Sequence, residues 1–267
     1  MENQDKSGNL NAFLRTAHLC ADRAGAKILP YFRSEHDVDN KSSSEFDPVT
    51  EADKSAETAI RDLLTEHWPD HSVVGEEHDD QYGDSAYNWV VDPIDGTKSF
   101  ITGLPLWGTL IGLRYNTDPV LGLVDQPFLQ ERYWSDGTSA FLRCPSGETR
   151  ISTRACPKLS QAFLSTTSPD LFDTGHEQRC FVRLRDSVRM TRYGGDCYAY
   201  CMLMQGYFDI ILEAGLKLVD IVAIIPIVEA AGGKITDWKG GKVIDGGQVL
   251  ATGDPELHQQ VLELINS

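Results

Sequence analysis

The sequence predicts an α/β protein in two closely joined parts, and three observations lead there. Of its 267 residues, 41% are hydrophobic and 24% charged, the balance of a chain that buries a core. At roughly 150 residues per domain, that length makes one large or two joined domains. The apolar period also changes along the chain, from helical spacing to short alternating runs to a strand and helix succession after Pro145.

Residues 10–32 place Leu14, Ala17, Ala21, Ala24 and Ile28 at three- and four-residue spacing, which predicts an amphipathic helix ending near Pro30. Ala56, Ile60, Leu63 and Leu64 repeat the pattern over 53–68. Between them, residues 35–46 are polar and include Lys41-Ser-Ser-Ser-Glu45, the composition of an exposed, mobile loop of the kind that often borders a site. Short apolar runs at 89–92, 110–113, 120–124 and 132–134, separated by Gly, Pro and Asn, predict the strands of a meander. Beyond Pro145 the pattern reads strand 162–166, helix 197–204 closed by Gly206, and strand 208–213. Helix 221–231 closed by Gly232-Gly233, strand 234–236 and helix 255–265 follow. Pro226 falls inside the helix at 221–231 and should kink it or interrupt one backbone bond. The joint is expected near residue 145, dividing the chain into 1–145 and 146–267.

Forty acidic residues against 24 basic ones give a formal charge of -16, which repels nucleic acid and anionic membrane. No apolar run approaches the ~20 residues that span a bilayer, and residues 1–11 lack a signal-peptide core, so a cytoplasmic protein is expected. The six cysteines are scattered without a Cys-x-x-Cys pair and read as reduced thiols; Cys197 and Cys201, one helical turn apart, read as packing. The seven histidines show no metal-ligand spacing. Neither a P-loop, a Gly-x-Ser-x-Gly elbow nor a His-Glu-x-x-His helix is present.

Chemistry concentrates in four acidic groups, each at a strand end or helix start: Asp47-Pro-Val-Thr-Glu-Ala-Asp53, Gly75-Glu-Glu77, Asp92-Pro-Ile-Asp-Gly-Thr97 and Asp220. Taken singly, several have ordinary readings. Glu76 and Glu77 can be a solvated pair, Thr50 and Asp53 a capping box, and Asp220 a helix N-cap. Taken together, they form an oxygen-rich donor set suited to hard divalent cations such as Mg2+. The Pro93-Ile94 turn can aim Asp92, Asp95 and the Ile94 carbonyl at one point, and Gly96 permits close backbone approach. The Gly96 and Thr97 amides, if they open a helix, would bind a phosphate.

The run Trp89-Val-Val-Asp-Pro-Ile-Asp-Gly-Thr-Lys-Ser-Phe100, preceded by Thr50-Glu-Ala-Asp53 and Gly75-Glu-Glu77, resembles the signature of the inositol monophosphatase superfamily of Mg2+-dependent, lithium-sensitive phosphatases. Glu213 followed by Asp220 and by Glu229-Ala-Ala-Gly-Gly233 is similar to the second signature of that superfamily. The resemblance implies an αβαβα sandwich. It also implies a first Mg2+ on Glu76, Asp92 and the Ile94 carbonyl, a second on Asp92, Asp95 and Asp220, and a weaker third leaning on Glu76. Thr97, hydrogen-bonded to Asp53, would orient and help deprotonate the attacking water, with Glu76 also counted as catalytic, while Gly96 and Thr97 cradle the phosphate. Arg192, Asp196 and Glu213 match positions that contact the alcohol portion.

Within the superfamily, Thr191-Arg-Tyr-Gly-Gly-Asp-Cys-Tyr-Ala-Tyr200 looks most like the histidinol-phosphate phosphatase branch. Inositol-specific members usually carry Trp before the metal-binding Asp, where Val219 stands here, and a small-residue run after it in place of residues 221–224. A carboxylate pair suits a leaving group with an ammonium and an imidazole. The expected activity is therefore phosphate release from L-histidinol phosphate, with inositol-1-phosphate and 3'-phosphoadenosine 5'-phosphate as alternative substrates. A homodimer is implied, and the reading of another class is a catalytically idle regulatory protein that kept the fold.

Overall fold

The structure, a computed structural model, describes residues 2–34, 38–40 and 48–267, with side chains described for 10–34 and 51–267. The first helix, α1 (Glu2–Ile28), leads through the short antiparallel pair β1 (Val38–Asn40) and β2 (Pro48–Thr50) into α2 (Glu51–His67). Apart from β1, the mobile loop expected at 35–46 lies outside the described residues.

A seven-stranded sheet follows in sequence order. It comprises β3 (Ser72–Gly75), β4 (Tyr87–Asp95), β5 (Gly108–Tyr115), β6 (Asp118–Gln126), β7 (Glu131–Ser135), β8 (Ala140–Cys144) and β9 (Gly147–Ile151), with the short α3 (Thr97–Ile101) between β4 and β5. Only the β3 to β4 pairing is parallel; the rest is the expected meander.

The chain then forms β10 (Phe163–Thr166), α4 (His176–Ser187), β11 (Met190–Tyr193), α5 (Asp196–Met204), β12 (Ile210–Leu216), α6 (Leu218–Ile221) and α7 (Ile224–Ala230). It ends with β13 (Lys234–Thr236), β14 (Gly247–Thr252) and α8 (Pro255–Ile265). These strands build a five-stranded sheet in the order β11-β10-β12-β14-β13.

Strand alternation decides the layering, since successive side chains point to opposite faces. Trp89, Val91, Ile111, Leu113, Leu121 and Leu123 bury one face of the first sheet against α1 and α2 through Phe13, Ala17, Ile60 and Leu64. Leu110, Val124 and Tyr133 turn to the other face and meet α5 and α7, which also cover Ile211, Val249 and Ala251 of the second sheet. The far face of that sheet, with Leu164, Ile210, Leu212 and Leu250, packs on Phe181 and Leu184 of α4 and Leu257 and Val261 of α8. The result is the αβαβα sandwich. Among the described residues no helix is long and apolar enough to cross a membrane.

One expectation is corrected, and the place of the joint is a matter of proposal. A joint near 145 would fall in the turn between β8 and β9, whose Cys144 and Gly147 are paired, and the first sheet runs on to Ile151. We therefore propose that any division lies at 152–162, between the two sheets. The helix expected over 221–231 is two helices. Pro226 has no N–H to donate to Val222, so the helix stops at Ile221 and restarts at Ile224, placing Pro226 in a first turn where no donor is needed.

That break sits on a pair of glycines. Gly112 and Gly122 face each other across β5 and β6. A Cβ on Gly112 would stand 2.6 Å from Val222 Cγ1 and 2.9 Å from the Ala223 nitrogen, and one on Gly122 would run into the Ala223 carbonyl. The α6 to α7 junction thus rests on bare backbone, and Val219 and Val222 pack beside Val90 of β4. This fixes α6 against β4. Gly122→Ala should cost about 1–3 kcal/mol, the usual range for overpacking. It should also weaken divalent-cation binding by displacing Asp220, as measured by thermal unfolding and Mg2+ titration of the same protein.

Candidate active site

The site begins at a defect in the first sheet. Asp92 pairs with Leu110 and Asp95 with Gly108, so two residues of β4 stand opposite one of β5 and the register slips. Pro93, which cannot donate to the ladder, is placed at this bulge, where its carbonyl accepts from Thr109 Oγ1 at 2.7 Å. The Ile94 N–H donates to Asp92 Oδ1 at 3.0 Å, turning that buried carboxylate along the bulge. Gly75 pairs with Val91 in parallel register, which sets Glu76 beside Asp92. Asp220 arrives from α6, where the Lys217 N–H donates to its Oδ2 at 2.7 Å. Carboxylate oxygens of Glu76, Asp92 and Asp220 consequently lie within 4.8 Å of one another.

Such a group strains against its own charge. Burial pushes Asp92 well above the usual carboxylate range, and Glu76, Asp95, Asp220 and Asp53 push the same way. Burial raises Asp220 to about 6, with Glu76 adding to the rise and the Lys217 N–H and ammonium opposing it. Asp95 is likewise held well up by burial, Asp196 and Asp220, although the Cys197 N–H donates to its Oδ2 at 2.6 Å. Lys217 Nζ reaches Glu76 Oε1 at 2.9 Å, but that ammonium side chain is 62% exposed and offsets little of the repulsion. Partly buried, oxygen-only and mutually repelling, the set fits a hard divalent cation.

Thr97 is a correction. Its hydroxyl donates to the Ile94 carbonyl at 3.2 Å rather than to Asp53, because a helix-start hydroxyl reaches the carbonyl three residues back without any movement of the chain. Asp53 itself is buried on α2, where its charge is felt by Asp92. Gly96 caps α3 at φ 86°, with no side-chain cap on the first-turn amides. A Cβ there would lie 2.9 Å from Asp196 Oδ2, so only glycine lets the two segments meet.

Asp196 opens α5 at φ 44°, a strained value for a residue other than glycine, and accepts from Ser99 Oγ at 2.7 Å. Burial raises its pKa, against the Ser99 bond and Lys98. Glu213 on β12 is 2% exposed; it accepts from the Thr167 N–H at 2.8 Å and from the Thr167 and Thr166 hydroxyls at 3.1 and 3.4 Å. Burial outweighs those bonds and, with Asp196, pushes Glu213 up to about 8. Of the expected substrate residues, Arg192 stands apart: it is exposed on β11 and no described contact joins it to the cluster.

The sequence does not by itself point to Lys217, Ser99 or Thr167. The Tyr200 hydroxyl is buried without a hydrogen-bond partner among the described residues, within the field of Glu213, Asp95 and Asp220. The partners of Lys217, Ser99 and Thr167, namely Glu76, Asp196 and Glu213, are far away in sequence.

Five layers with a carboxylate cluster at the end of β4 are the setting in which the family match places a phosphatase acting on small phosphate esters. The chain belongs to the inositol monophosphatase family, which it matches over residues 9–267. It is 44% identical over 265 residues to the bifunctional phosphatase IMPL2, chloroplastic, of Arabidopsis thaliana, covering 95% of this chain and 75% of that protein. It is 35% identical to the histidinol-phosphatase of Mycobacterium tuberculosis, covering 82% of this chain and 85% of that one. The solved structure of an inositol monophosphatase from Zymomonas mobilis superposes with a TM-score of 0.85 at 38% identity, covering 96% of this chain and 98% of that one.

Glu213 has a consequence for stability. The folded chain keeps its proton up to about pH 8, whereas an unfolded glutamate releases it near the ordinary 4.5. The folded state thus holds the extra proton between those values, so stability falls as pH rises through that window and levels off above it. Glu213→Gln removes this contribution and should flatten the decline of Tm between about pH 5 and pH 8. An unchanged slope in melts across that range would show that Glu213 titrates normally.

Proposed function

We propose that this chain is a Mg2+-dependent phosphomonoesterase that hydrolyses L-histidinol phosphate to L-histidinol and inorganic phosphate. The observation that carries the reading is the placement of two further carboxylates near the metal-type cluster, Asp196 against Gly96 of the 92–97 turn and the buried Glu213 held by Thr167. A leaving group bearing an ammonium and an imidazole offers this pair charge-assisted hydrogen bonds. A cation placed against Glu213 also favours its carboxylate, so binding below about pH 8 releases the proton that burial retains. The mycobacterial relative, a histidinol-phosphatase, supports the same direction.

Glu76, Asp92, Asp95, Asp220 and the Ile94 carbonyl are the groups that would hold two Mg2+, a weaker third leaning on Glu76. Bound there, the ions would supply charge neutralisation at the phosphoryl group and leaving oxygen and would acidify a water for attack at neutral pH. The chain's part is positional. The uncapped amides of Gly96 and Thr97 donate to phosphoryl oxygens, and the left-handed Gly96 gives the phosphate close approach to the backbone. Thr97 orients the attacking water once its hydroxyl proton leaves the Ile94 carbonyl for Asp53, and Glu76 takes part in accepting the water proton. Asp196 and Glu213 hold the alcohol, and Arg192 belongs to the exposed rim. We take the working unit to be a homodimer, as the family resemblance implies.

The test is phosphate release from histidinol phosphate, inositol-1-phosphate, 3'-phosphoadenosine 5'-phosphate and glycerol phosphate, with Mg2+ and with excess EDTA. Histidinol phosphate should give the highest kcat/KM, EDTA should abolish turnover and millimolar lithium should inhibit. Glu213→Gln should cost histidinol phosphate about 1.5–3 kcal/mol, roughly 10- to 150-fold in kcat/KM, while sparing glycerol phosphate. A preference for inositol-1-phosphate would overturn the substrate, and turnover in EDTA would overturn the metal reading.

Ligand and water-orienting roles separate in a second pair of variants. Asp92→Asn should abolish turnover and lower Mg2+ affinity, whereas Thr97→Ala should bind Mg2+ almost as before and lose about 10² to 10⁴-fold in kcat. Calorimetric Mg2+ titration beside steady-state kinetics distinguishes them. Loss of Mg2+ binding in Thr97→Ala, with its rate per bound metal intact, would reverse the assignment.

A further inference from the structure

Glu57 takes no part in the reaction outlined above, yet it is a glutamate with 0% exposure, and a buried charge is retained only where partners compensate it. It lies one helical turn beyond Asp53 and one before Arg61, so the three share a stripe of α2. Its Oε2 accepts from the Glu77 N–H at 2.7 Å, and its Oε1 accepts from the His78 N–H at 3.2 Å and Arg61 Nε at 2.7 Å. Arg61 carries the grip further, with Nη1 at 3.5 Å from the Val73 carbonyl and Nη2 at 3.3 Å from the His78 carbonyl. One acid and one base on α2 therefore hold N–H and C=O groups at both ends of residues 73–78, the segment that carries Glu76. Gly75 completes the arrangement, because a Cβ at that position would overlap the Glu57 carboxylate. The backbone on either side of Glu76 is thus fixed, by contact before it and by hydrogen bonds after it.

We propose that Glu57 is a positioning residue whose carboxylate, backed by Arg61, fixes the strand-end segment that presents Glu76 to Asp92 and Asp220, and so sets the affinity of the site for its cation. This rests on the reading of Glu76 as a metal ligand. Glutamine at 57 is nearly isosteric but places an amide against Arg61 or against the two backbone donors, so the segment loses its anchor while the packing volume is kept. Alanine at 75 leaves the carboxylate intact and forces it away from the same backbone. Residues of this kind, which hold ligands without touching the metal, typically change affinity by about 10- to 100-fold when altered.

The experiment uses the full chain with Glu57→Gln, Gly75→Ala and Glu76→Gln, each followed by calorimetric titration with Mg2+ alone, Mg2+ half-saturation of phosphate release, and thermal melting. Glu57→Gln should raise the Mg2+ dissociation constant about 10- to 100-fold, with kcat recovering at saturating Mg2+. Gly75→Ala should move the same constant in the same direction, which keeps the test decisive if Glu57→Gln does not fold. Native Mg2+ affinity in either folded variant, with only a lower Tm, would overturn the proposal and leave Glu57 a stabiliser of the fold. Glu76→Gln reports on the underlying reading: undiminished Mg2+ binding there removes Glu76 as a ligand, whereas its loss beside native binding in Glu57→Gln sinks the positioning role alone.

Discussion

Three carboxylates brought within 4.8 Å of one another are the constraint to which the rest of the structure answers. At an effective dielectric constant of about 20, two unit charges about 5 Å apart repel by roughly 3 kcal/mol. Three such pairs approach 10 kcal/mol, within the whole net stability of about 5–15 kcal/mol typical of a folded domain. The fully ionised cluster is therefore one that the fold alone can barely hold. Protons or a cation have to take up the charge, and the raised pKa values of Asp92 and Asp220 are the protonic half of that alternative. The exposed Lys217 ammonium at Glu76 does not remove the need.

Holding the carboxylates in place despite this repulsion requires support from outside the cluster, and each ligand has its own. Asp92 is set by a bulge whose Pro93 carbonyl is tied to Thr109. Glu76 follows the parallel pairing of β3 with β4 and the buried Glu57 behind it. Asp220 stands on a helix that stops short because of Pro226, at a junction that rests on the facing pair Gly112 and Gly122. The carboxylates come from segments distant in sequence, and their geometry is set by the seven-stranded sheet on which all three supports converge.

What the sequence made legible follows the same division between local and distant causes. The α2 and α8 helices declare themselves by apolar spacing, and the Asp92-Pro-Ile-Asp-Gly-Thr97 turn by crowding of residues that a plain loop does not need. β9, with the exposed run Gly-Glu-Thr-Arg before Ile151, carries no buried face to read. α4 buries only Cys180, Phe181 and Leu184, and β11 is mostly exposed, so neither presented a clear period. Thr97 was misread for a different reason: its expected partner was distant, while the Ile94 carbonyl lay three residues away and took the hydrogen bond. Glu57 was legible as a helical residue but not as a support, because its partners at 77 and 78 lie on another element.

The formal charge of -16 bears on how an acidic chain can take an anionic ester. Two regions of carboxylate adjoin through the contact of Gly96 with Asp196, but they differ in what they can accept. Glu76, Asp92 and Asp220 crowd too closely to remain fully charged without a multivalent cation, and a cation held there would accept phosphate oxygens. Asp196 and Glu213 are each tethered by hydroxyl or amide donors, and Glu213 already holds a proton that an organic cation can replace. On the proposed reading, a substrate with phosphate at one end and ammonium at the other meets opposite fields across a short distance. Reversal of that orientation would place each of its charges against its like, so the same acidity that repels polyanions selects the direction in which a zwitterionic ester enters.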